Sequence, residues 1–297
     1  MIFKKPELED RACINRYLEK GTHKSCDFTF MNIYLWSAYY AIDFGIVENT
    51  LVFKRKGDNP SFTFPIGEKE DVKKALDVLM QWCEEEGNPY MMHLVTPHQF
   101  DKLEQWYPEM FQITYDRNIA DYVYESEKLS SLSGRKYHSK KNHINKFQSL
   151  YPDWSYEEMG AHNLEECFQM ALVWRNLNEC EDDEDKHAEI GVTLNALRLF
   201  HELKLKGGVL RAEGKLVAFS IGEQLNEDCF VVHIEKAFAD VPGAYPMMNQ
   251  QFVLREGQVY TYINREEDMG EEGLRKSKLS YRPAFMIEKG QVRKKKG

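Results

Sequence analysis

The order of helical and strand patterns in the second half of the chain constrains the fold more than any other feature. Two helical patterns, over residues 163–180 and 193–206, precede a hairpin pattern that turns near Glu213 and Gly214. They are followed by a strand (229–236), a helix (245–255), a strand (259–264), a short helix (273–281) and a last strand (285–288). Because the hairpin pairs antiparallel strands and helices separate the others, we predict a mixed α/β fold with a mainly antiparallel sheet.

The first half of the chain carries a rougher version of the same order. Its patterns are a helix (7–19), a hairpin (40–54), a strand (61–66), a helix (71–86), a strand (89–95), a helix (96–106) and an extended segment (111–125). Residue identities show no repeat, but the element order suggests one. We therefore expect two domains, 1–128 and 129–297, each with a mixed, mainly antiparallel sheet flanked by helices.

Composition and missing motifs exclude several classes of protein. With 42% hydrophobic and 29% charged residues, the chain has enough apolar side chains for a large core, which argues against global disorder. No stretch approaches the roughly 18 uncharged apolar residues of a membrane span, and the first ten residues lack a signal-peptide pattern, so we expect a cytoplasmic protein. The motifs G-x-S-x-G, G-x-x-x-x-G-K-[ST] and G-x-G-x-x-G are absent, which disfavours α/β-hydrolases, P-loop NTPases and Rossmann enzymes.

Cysteine and histidine spacing gives no metal or disulfide pattern. The six cysteines are scattered without a C-x-x-C pair, so we expect buried reduced thiols. His93 and His98 have no third ligand at a metal-like spacing, so we expect no metal site.

The net charge of −9 conceals two basic segments. Residues 129–152 contain five Lys and Arg and no acid, and residues 273–297 contain nine Lys and Arg against Glu288 alone. Acidic residues concentrate instead at 179–185. An acidic chain with such segments is able to receive a phosphate-bearing substrate, so its net charge does not exclude one.

The first basic segment predicts a helix with two different faces. Tyr137, Ile144 and Phe147 recur at helical spacing together with Lys141, which predicts a half-buried stripe. A basic ridge beside this stripe suits phosphate groups. The candidates for phosphate binding are Arg135, Lys136, Lys140, Lys141 and His143. The alternative is a solvent-exposed helix with ordinary surface lysines.

Two polar side chains alternate along the strand at 229–236. Strand periodicity places His233 and Glu235 on one face, near the end of the strand. A histidine and a carboxylate in this arrangement are suited to act as a base or to orient a substrate amine. The alternative is an ordinary buried pair, hydrogen-bonded to its surroundings.

A third polar constellation lies over residues 260–283. A strand leads to Asn264, a loop contains Asp268, and a short helix carries Arg275 and Lys278 on one face. Strand–loop–helix turns of this kind often converge polar groups into a site. The alternative is helix capping plus surface charge.

Three motifs, in this order, resemble the phosphatidylglycerol lysyltransferase C-terminal domain family. They are Leu132-x-Gly-(x5)-Lys-Lys-Asn-His-Ile-Asn-Lys-Phe147, the pair Glu235-Lys236, and Asn264-x-x-x-Asp268-x-Gly-x-x-Gly-Leu-Arg275-x-x-Lys278-x-x-Tyr-x-Pro283. In bacteria that domain is the cytosolic catalytic part of the multiple peptide resistance factor, and it also occurs as free-standing proteins. The resemblance implies two tandem GNAT-like domains, as in the Fem-type peptidyltransferases.

The resemblance also implies an enzyme, an acyl or aminoacyl transferase. Membrane-linked relatives move an aminoacyl group from aminoacyl-tRNA to a lipid headgroup. We hypothesise that Glu235, with His233, orients or deprotonates the acceptor amine or hydroxyl, and that Asn264 and Asp268 shape the pocket or bind a cationic amino group. The residues expected to hold the phosphates of the donor are Arg135, Lys136, Lys140, Lys141, Arg275 and Lys278.

Two other functions stay open. The first is an N-acetyltransferase that uses acyl-CoA, although the segment 239–246, which corresponds to the pyrophosphate-binding loop of simple GNAT enzymes, contains Gly243 without the full R/Q-x-x-G-x-G/A pattern. The second is a non-catalytic module that binds RNA or another phosphate-rich partner through the basic helix. The donor, acyl-CoA or aminoacyl-tRNA, is therefore not chosen by the sequence.

Overall fold

Residues 1–19, 24–178 and 184–295 are described by the structure, a computed structural model, and their contacts separate them into two units. The first unit comprises Met1–Asp121, Glu267–Gly270 and the chain from Met286 onward, and the second comprises Tyr122–Glu266 and Glu271–Phe285. The C-terminal segment thus belongs to the first unit. The assignment of 1–128 and 129–297 to two GNAT-like domains stays a prediction.

The helices and strands alternate irregularly along the chain. The helices are α1 (Arg11–Leu18), α2 (Phe30–Trp36), α3 (Lys69–Glu85), α4 (Pro97–Trp106), α5 (Ser126–Ser131), α6 (His138–Leu150), α7 (Leu164–Leu177), α8 (Glu184–Arg198), α9 (Ala244–Phe252) and α10 (Glu272–Ser280). The strands are β1 (Ile42–Val47), β2 (Thr50–Arg55), β3 (Ser61–Phe62), β4 (Met91–Val95), β5 (Phe111–Tyr115), β6 (Asp121–Glu125), β7 (Ser155–Glu158), β8 (Lys206–Ala212), β9 (Lys215–Gln224), β10 (Cys229–Ala237), β11 (Tyr262–Asn264), β12 (Phe285–Ile287) and β13 (Gly290–Lys294).

Local signals explain how the elements of the first unit begin and turn. Thr96 caps α4 in a reciprocal capping box with Gln99, and Pro97 occupies the first helical position, where no amide donor is needed. Between β1 and β2, Glu48 and Asn49 have φ values of 47° and 58°, the left-handed conformation that two-residue hairpin turns require.

The first unit contains a sheet in the order β1-β2-β3-β4-β13-β5. Its pairs are antiparallel apart from β3 with β4. Leu76 and Leu79 of α3 are buried in one apolar cluster with Val52 of β2, Phe62 of β3 and Val292 of β13. Burial of this helical stripe is the main stabilisation of α3, because an isolated helix of this length is marginal in water.

The second sheet has the order β12-β6-β11-β10-β9-β8-β7. The pair β10–β11 is parallel, whereas β11–β6, β10–β9, β9–β8 and β8–β7 are antiparallel. In the second unit, α9 packs on β8, β9 and β10, and α5 and α6 pack on α9. The predicted mixed α/β fold, with two mainly antiparallel sheets flanked by helices, is confirmed.

The structure differs from the sequence-based elements in several places. The helix predicted over 193–206 is wrong at both ends, because α8 spans Glu184–Arg198 and β8 already begins at Lys206. Strands β7 and β13 were not predicted. In β13 only Gly290 and Val292 are buried, so its charged sequence shows no apolar alternation. The basic residues Arg293 and Lys294 lie in β13 and pair with β5.

Some predictions concern residues outside the described ranges. Cys180 and most of the acidic run, 179–183, lie there. The described cysteines, Cys13, Cys26, Cys83, Cys167 and Cys229, are free thiols. Within the described ranges, no helix has the length and apolar character needed to cross a membrane.

Candidate active site

The second unit contains a buried ion pair between Arg265 and Glu235. Arg265 follows the last residue of β11, and its Nη2 donates to Oε1 of Glu235 on β10 at 3.1 Å. The two side chains are only 10% and 13% exposed. Asn249 of α9 donates from Nδ2 to the other carboxylate oxygen of Glu235 at 3.2 Å. Both oxygens of Glu235 therefore have donors, as a buried carboxylate requires.

A second cation lies near this pair. The Nζ of Lys140, on α6, lies 4.1 Å from the ring centroid of Tyr281, and the guanidinium of Arg265 lies 4.8 Å from the same centroid. Burial and the nearby Arg265 lower the pKa of Lys140 from 10.5 to about 8, against the opposing effect of Glu235. We refer to Lys140, Glu235, Asn249, Arg265 and Tyr281 as the Glu235 cluster.

Lys278 supports the loop that carries Arg265. Its Nζ donates to the backbone carbonyl of Arg265 at 2.6 Å, and its own carbonyl accepts a hydrogen bond from the Tyr124 hydroxyl at 2.8 Å. Lys278 is buried, so its ammonium holds this loop in place from α10. Its geometry is that of a positioning residue.

Three buried polar atoms around Glu235 have no hydrogen-bond partner among the described residues. They are Nη1 of Arg265, Oδ1 of Asn249 and Oγ of Ser220, which is opposite Glu235 in the β9–β10 register. Buried polar groups in folded proteins nearly always have partners, and each group left without one costs about 1–3 kcal/mol. A donor, an acceptor and a hydroxyl are thus available to a ligand beside one carboxylate.

His233 lies in a different set of contacts. Its Nδ1 is 2.7 Å from Glu266 and its Nε2 is 3.2 Å from Glu223, and the imidazole is 1% exposed. Burial alone would lower the pKa of His233, but the two carboxylates raise it from 6.5 to about 9. A β-bulge between Val232 and Ile234 interrupts the strand alternation at His233. The structure therefore does not bring His233 and Glu235 together as the alternation predicted.

The other residues predicted after β11 have different surroundings. Asn264 is fully buried, and its Oδ1 accepts a hydrogen bond from the Glu266 amide at 2.7 Å. Asp268 belongs to the first unit, where it binds Arg117 at 3.2 Å and the Gly270 amide at 3.0 Å. The Glu235 cluster belongs instead to the second unit. Arg275 is half-buried on α10.

The basic helix has the predicted buried stripe and an exposed cationic surface. Tyr137, Ile144 and Phe147 are buried. Lys141, predicted in that stripe, is exposed. The exposed candidates for phosphate binding are Arg135, Lys136, Lys141 and His143. Of the five predicted on this segment, only Lys140 reaches the Glu235 cluster.

Gly243 allows α6 to approach the start of α9. Its φ is +86°, and a Cβ there would lie 2.3 Å from the His143 carbonyl oxygen. We expect Gly243→Ala to lower the free energy of unfolding by about 2 kcal/mol or more, because a left-handed alanine is strained and the clash is with backbone. Urea denaturation of the variant measures this.

Gly214→Ala is the matched control for this prediction. Gly214 has a φ of +72°, but a Cβ there meets nothing within 4 Å. We expect Gly214→Ala to lower the free energy of unfolding by about 1 kcal/mol, which measures the backbone strain alone. The additional loss in Gly243→Ala then measures the clash with α6. Equal losses for the two variants would contradict the close packing.

Sequence reasoning missed several members of the Glu235 cluster. Arg265 directly follows Asn264, and Tyr281 is a fixed position of the third motif, so both had a sequence signal. Asn249 lies on an apolar-looking helix and had none, because its contact with Glu235 depends on how α9 packs on β10.

The first unit contains a separate buried charge cluster. The Nζ of Lys289 lies 2.6 Å from Asp121, 2.6 Å from Asp27 and 3.9 Å from Glu267. Cys26 donates from its amide to Asp121 at 2.8 Å. Ligand atoms of Cys26, Asp27 and Asp121 lie within 4.8 Å of one another, which suits a metal ion, but the Lys289 ammonium already binds both aspartates. We call these five residues the Lys289 cluster.

Comparisons with known proteins agree over most of the chain. The model of the family described as phosphatidylglycerol lysyltransferase, C-terminal, matches residues 19–289. A solved structure of a conserved protein of unknown function from Bacteroides thetaiotaomicron has a TM-score of 0.94 and 38% identity, over 99% of this chain and 100% of that one. The structure of L-PGS from Bacillus licheniformis has a TM-score of 0.68 at 14% identity, over 100% and 95%. At that identity, the likeness to L-PGS concerns the fold alone.

One curated protein also matches. An uncharacterised protein of Mycoplasmoides gallisepticum is 26% identical over 173 residues, which cover 57% of this chain and 54% of that protein. The match therefore spans about half the length of this curated relative.

Proposed function

The chain belongs to the family of phosphatidylglycerol lysyltransferase C-terminal domains, and from this premise we propose that it is an acyl or aminoacyl transferase of the tandem GNAT type. It moves the acyl or aminoacyl group of an activated donor to an amine or hydroxyl acceptor. The observation that carries the proposal is the Glu235 cluster, where one carboxylate, two cations and three buried polar atoms without partners converge.

The groups of this cluster match the needs of acyl transfer. Such a reaction needs a group to orient or deprotonate the acceptor, donors for the oxygen that becomes negative, and contacts that position the donor substrate. Glu235 supplies the first, and the free Nη1 of Arg265 supplies the second. Lys140, largely charged at neutral pH, supplies a contact for an anionic part of the donor.

In the proposed reaction, the nitrogen or oxygen of the acceptor attacks the carbonyl carbon of the donor. Glu235 orients the attacking group and accepts its proton. As the carbonyl oxygen gains negative charge, Arg265 donates a hydrogen bond to it from a site with little competing water. The bond between the carbonyl carbon and the leaving atom of the donor then breaks, and that atom takes up a proton.

The choice of aminoacyl-tRNA as donor rests on the surface of α6. The helix that carries Lys140 into the cluster also exposes Lys141 and Lys146, and the residues just before it expose Arg135 and Lys136, on a segment without acids. Such a surface suits an RNA backbone. Acyl-CoA is less favoured, because α6 packs against Gly243, at the loop where a GNAT enzyme would hold the pyrophosphate.

The same exposed surface favours a second candidate function, an RNA-binding module without catalysis. Binding of uncharged bacterial tRNA, measured at several salt concentrations, tests it. Lys141→Gln with Lys146→Gln should weaken binding and flatten its salt dependence, since each lost phosphate contact reduces the slope by about 0.9. Salt-dependent binding with no transfer from charged tRNA would favour the module over the transferase.

Glu235→Gln tests the transferase. We expect transfer of labelled amino acid from charged bulk tRNA to phosphatidylglycerol vesicles or small amines to fall about 100-fold, because the amide keeps the shape but cannot accept the proton. Glu227→Gln, at an exposed carboxylate just before β10, is the matched control and should retain full transfer. Equal transfer by both variants would refute the role of Glu235, and no transfer by the unaltered protein from any activated donor would refute the function.

A further inference from the structure

The ammonium of Lys140 has an unusual environment for a lysine. It is half-buried, and it has neither a hydrogen bond nor an ion pair with any described residue. Two charged groups act on its pKa: Arg265, of like charge, and Glu235, whose two oxygens accept from Arg265 and Asn249. Removal from water without an acceptor disfavours the charged form, and a second cation adds to this cost.

The ring of Tyr281 keeps this amine in position. Nζ lies 4.1 Å from the ring centroid, a distance typical of a cation–π contact. The aromatic face supplies no hydrogen-bond donor that would engage the nitrogen lone pair once the proton is lost. The neighbouring lysine, Lys141, is turned to solvent on the same helix and provides an internal comparison.

We propose that Lys140 is an acylation site, which takes an acyl group from an acyl phosphate, a thioester or an activated ester. The neutral Nζ attacks the carbonyl carbon, and the bond from that carbon to the donor's oxygen or sulfur breaks. The donor leaves as phosphate, thiol or alcohol. The lysine loses two protons in all, one before the attack and one as the amide forms.

The amide has two consequences for the Glu235 cluster. It cannot be protonated, so the positive charge of Lys140 is lost, and its acyl group occupies space beside Tyr281 and Arg265. Acylation therefore blocks the site, a consequence that rests on the proposed function. The acylation itself does not, because it needs only the amine and an activated donor.

The proposal is tested on the unaltered protein with acetyl phosphate as the probe. A pKa of about 8 leaves about one quarter of Lys140 neutral at pH 7.5, against about 0.1% of an ordinary lysine. We expect Lys140 to be acetylated at least tenfold faster than Lys141. Cleavage after glutamate releases residues 128–157 as one peptide, in which both lysines are quantified by fragment-ion mass spectrometry.

The pH profile and one variant make the test sharper. The rate at Lys140 should level off just above pH 8, while the rate at Lys141 should go on rising. Glu235→Gln removes the charge that favours the lysine ammonium, so it should speed the labelling of Lys140 while it lowers transfer. The opposite signs distinguish failure of this proposal from failure of the proposed function. Labelling of Lys140 no faster than that of Lys141, or a rate that does not level off, would overturn the proposal.

Discussion

Lys289→Met should lower the free energy of unfolding by about 3–5 kcal/mol, the range for one partner removed from a buried ion pair. Lys289 is 1% exposed and is the cation that binds Asp27 and Asp121 at 2.6 Å each. Methionine fills much of the volume, but it leaves these two carboxylates and Glu267 close together without their ammonium. Urea denaturation, followed by circular dichroism, measures the loss.

Lys294→Met is the matched control for this prediction. Lys294 lies on β13 with its side chain exposed, only a few residues after Lys289. Its replacement should change stability by less than about 0.5 kcal/mol, as is usual for surface positions. A loss below about 1 kcal/mol for Lys289→Met would mean that the carboxylates become protonated or hydrated at little cost.

The stability that His233 contributes should disappear as the pH rises from 6.5 to 9. The pKa of His233 is raised in the folded protein, so its charged form favours folding below pH 6.5, and this contribution is lost through pH 9. A rise from 6.5 to about 9 corresponds to about 3 kcal/mol, since the imidazole is almost fully buried. Urea denaturation at pH 6 and pH 9.5 measures the difference.

His233→Gln isolates this contribution from other titrating groups. The variant lacks the imidazolium between Glu223 and Glu266, while the titration of Lys140 and of surface groups is common to both proteins. The stability gap between the unaltered protein and the variant should therefore be about 3 kcal/mol larger at pH 6 than at pH 9.5. A gap that does not depend on pH would show that His233 is neutral in the folded protein.

Local patterns located most of the elements, because helix caps, turn residues and hydrophobic periodicity act over a few residues. The helix α4, with its Thr96 and Pro97 start, and the hairpin of β8 and β9 lie where these signals predicted them. The strand β13 could not be found in this way. Val292 is its one buried apolar side chain. The residues that pair with Val292 lie on β4 and β5, which are distant in sequence.

The Glu235 cluster was predictable only in part. Glu235, Lys140 and Lys278 were named from short motifs, and all three lie at or beside Arg265. The pairing of Glu235 with Arg265 was not predicted, because it depends on the parallel register of β10 and β11 and on the loop after β11. The bulge at His233 reversed a prediction from strand alternation, since one extra residue changes which side chains share a face.

By itself, the sequence determined the family resemblance, which the match over residues 19–289 confirms, together with the mixed α/β fold and the basic helix. These depend on short motifs and on periodicity within single elements. Only the tertiary structure decided which charges meet: Arg265 rather than His233 binds Glu235, and Lys140 rather than Lys141 lies beside them. The reason is physical: the partner of a buried charge depends on strand register, bulges and packing between segments that are far apart in the chain.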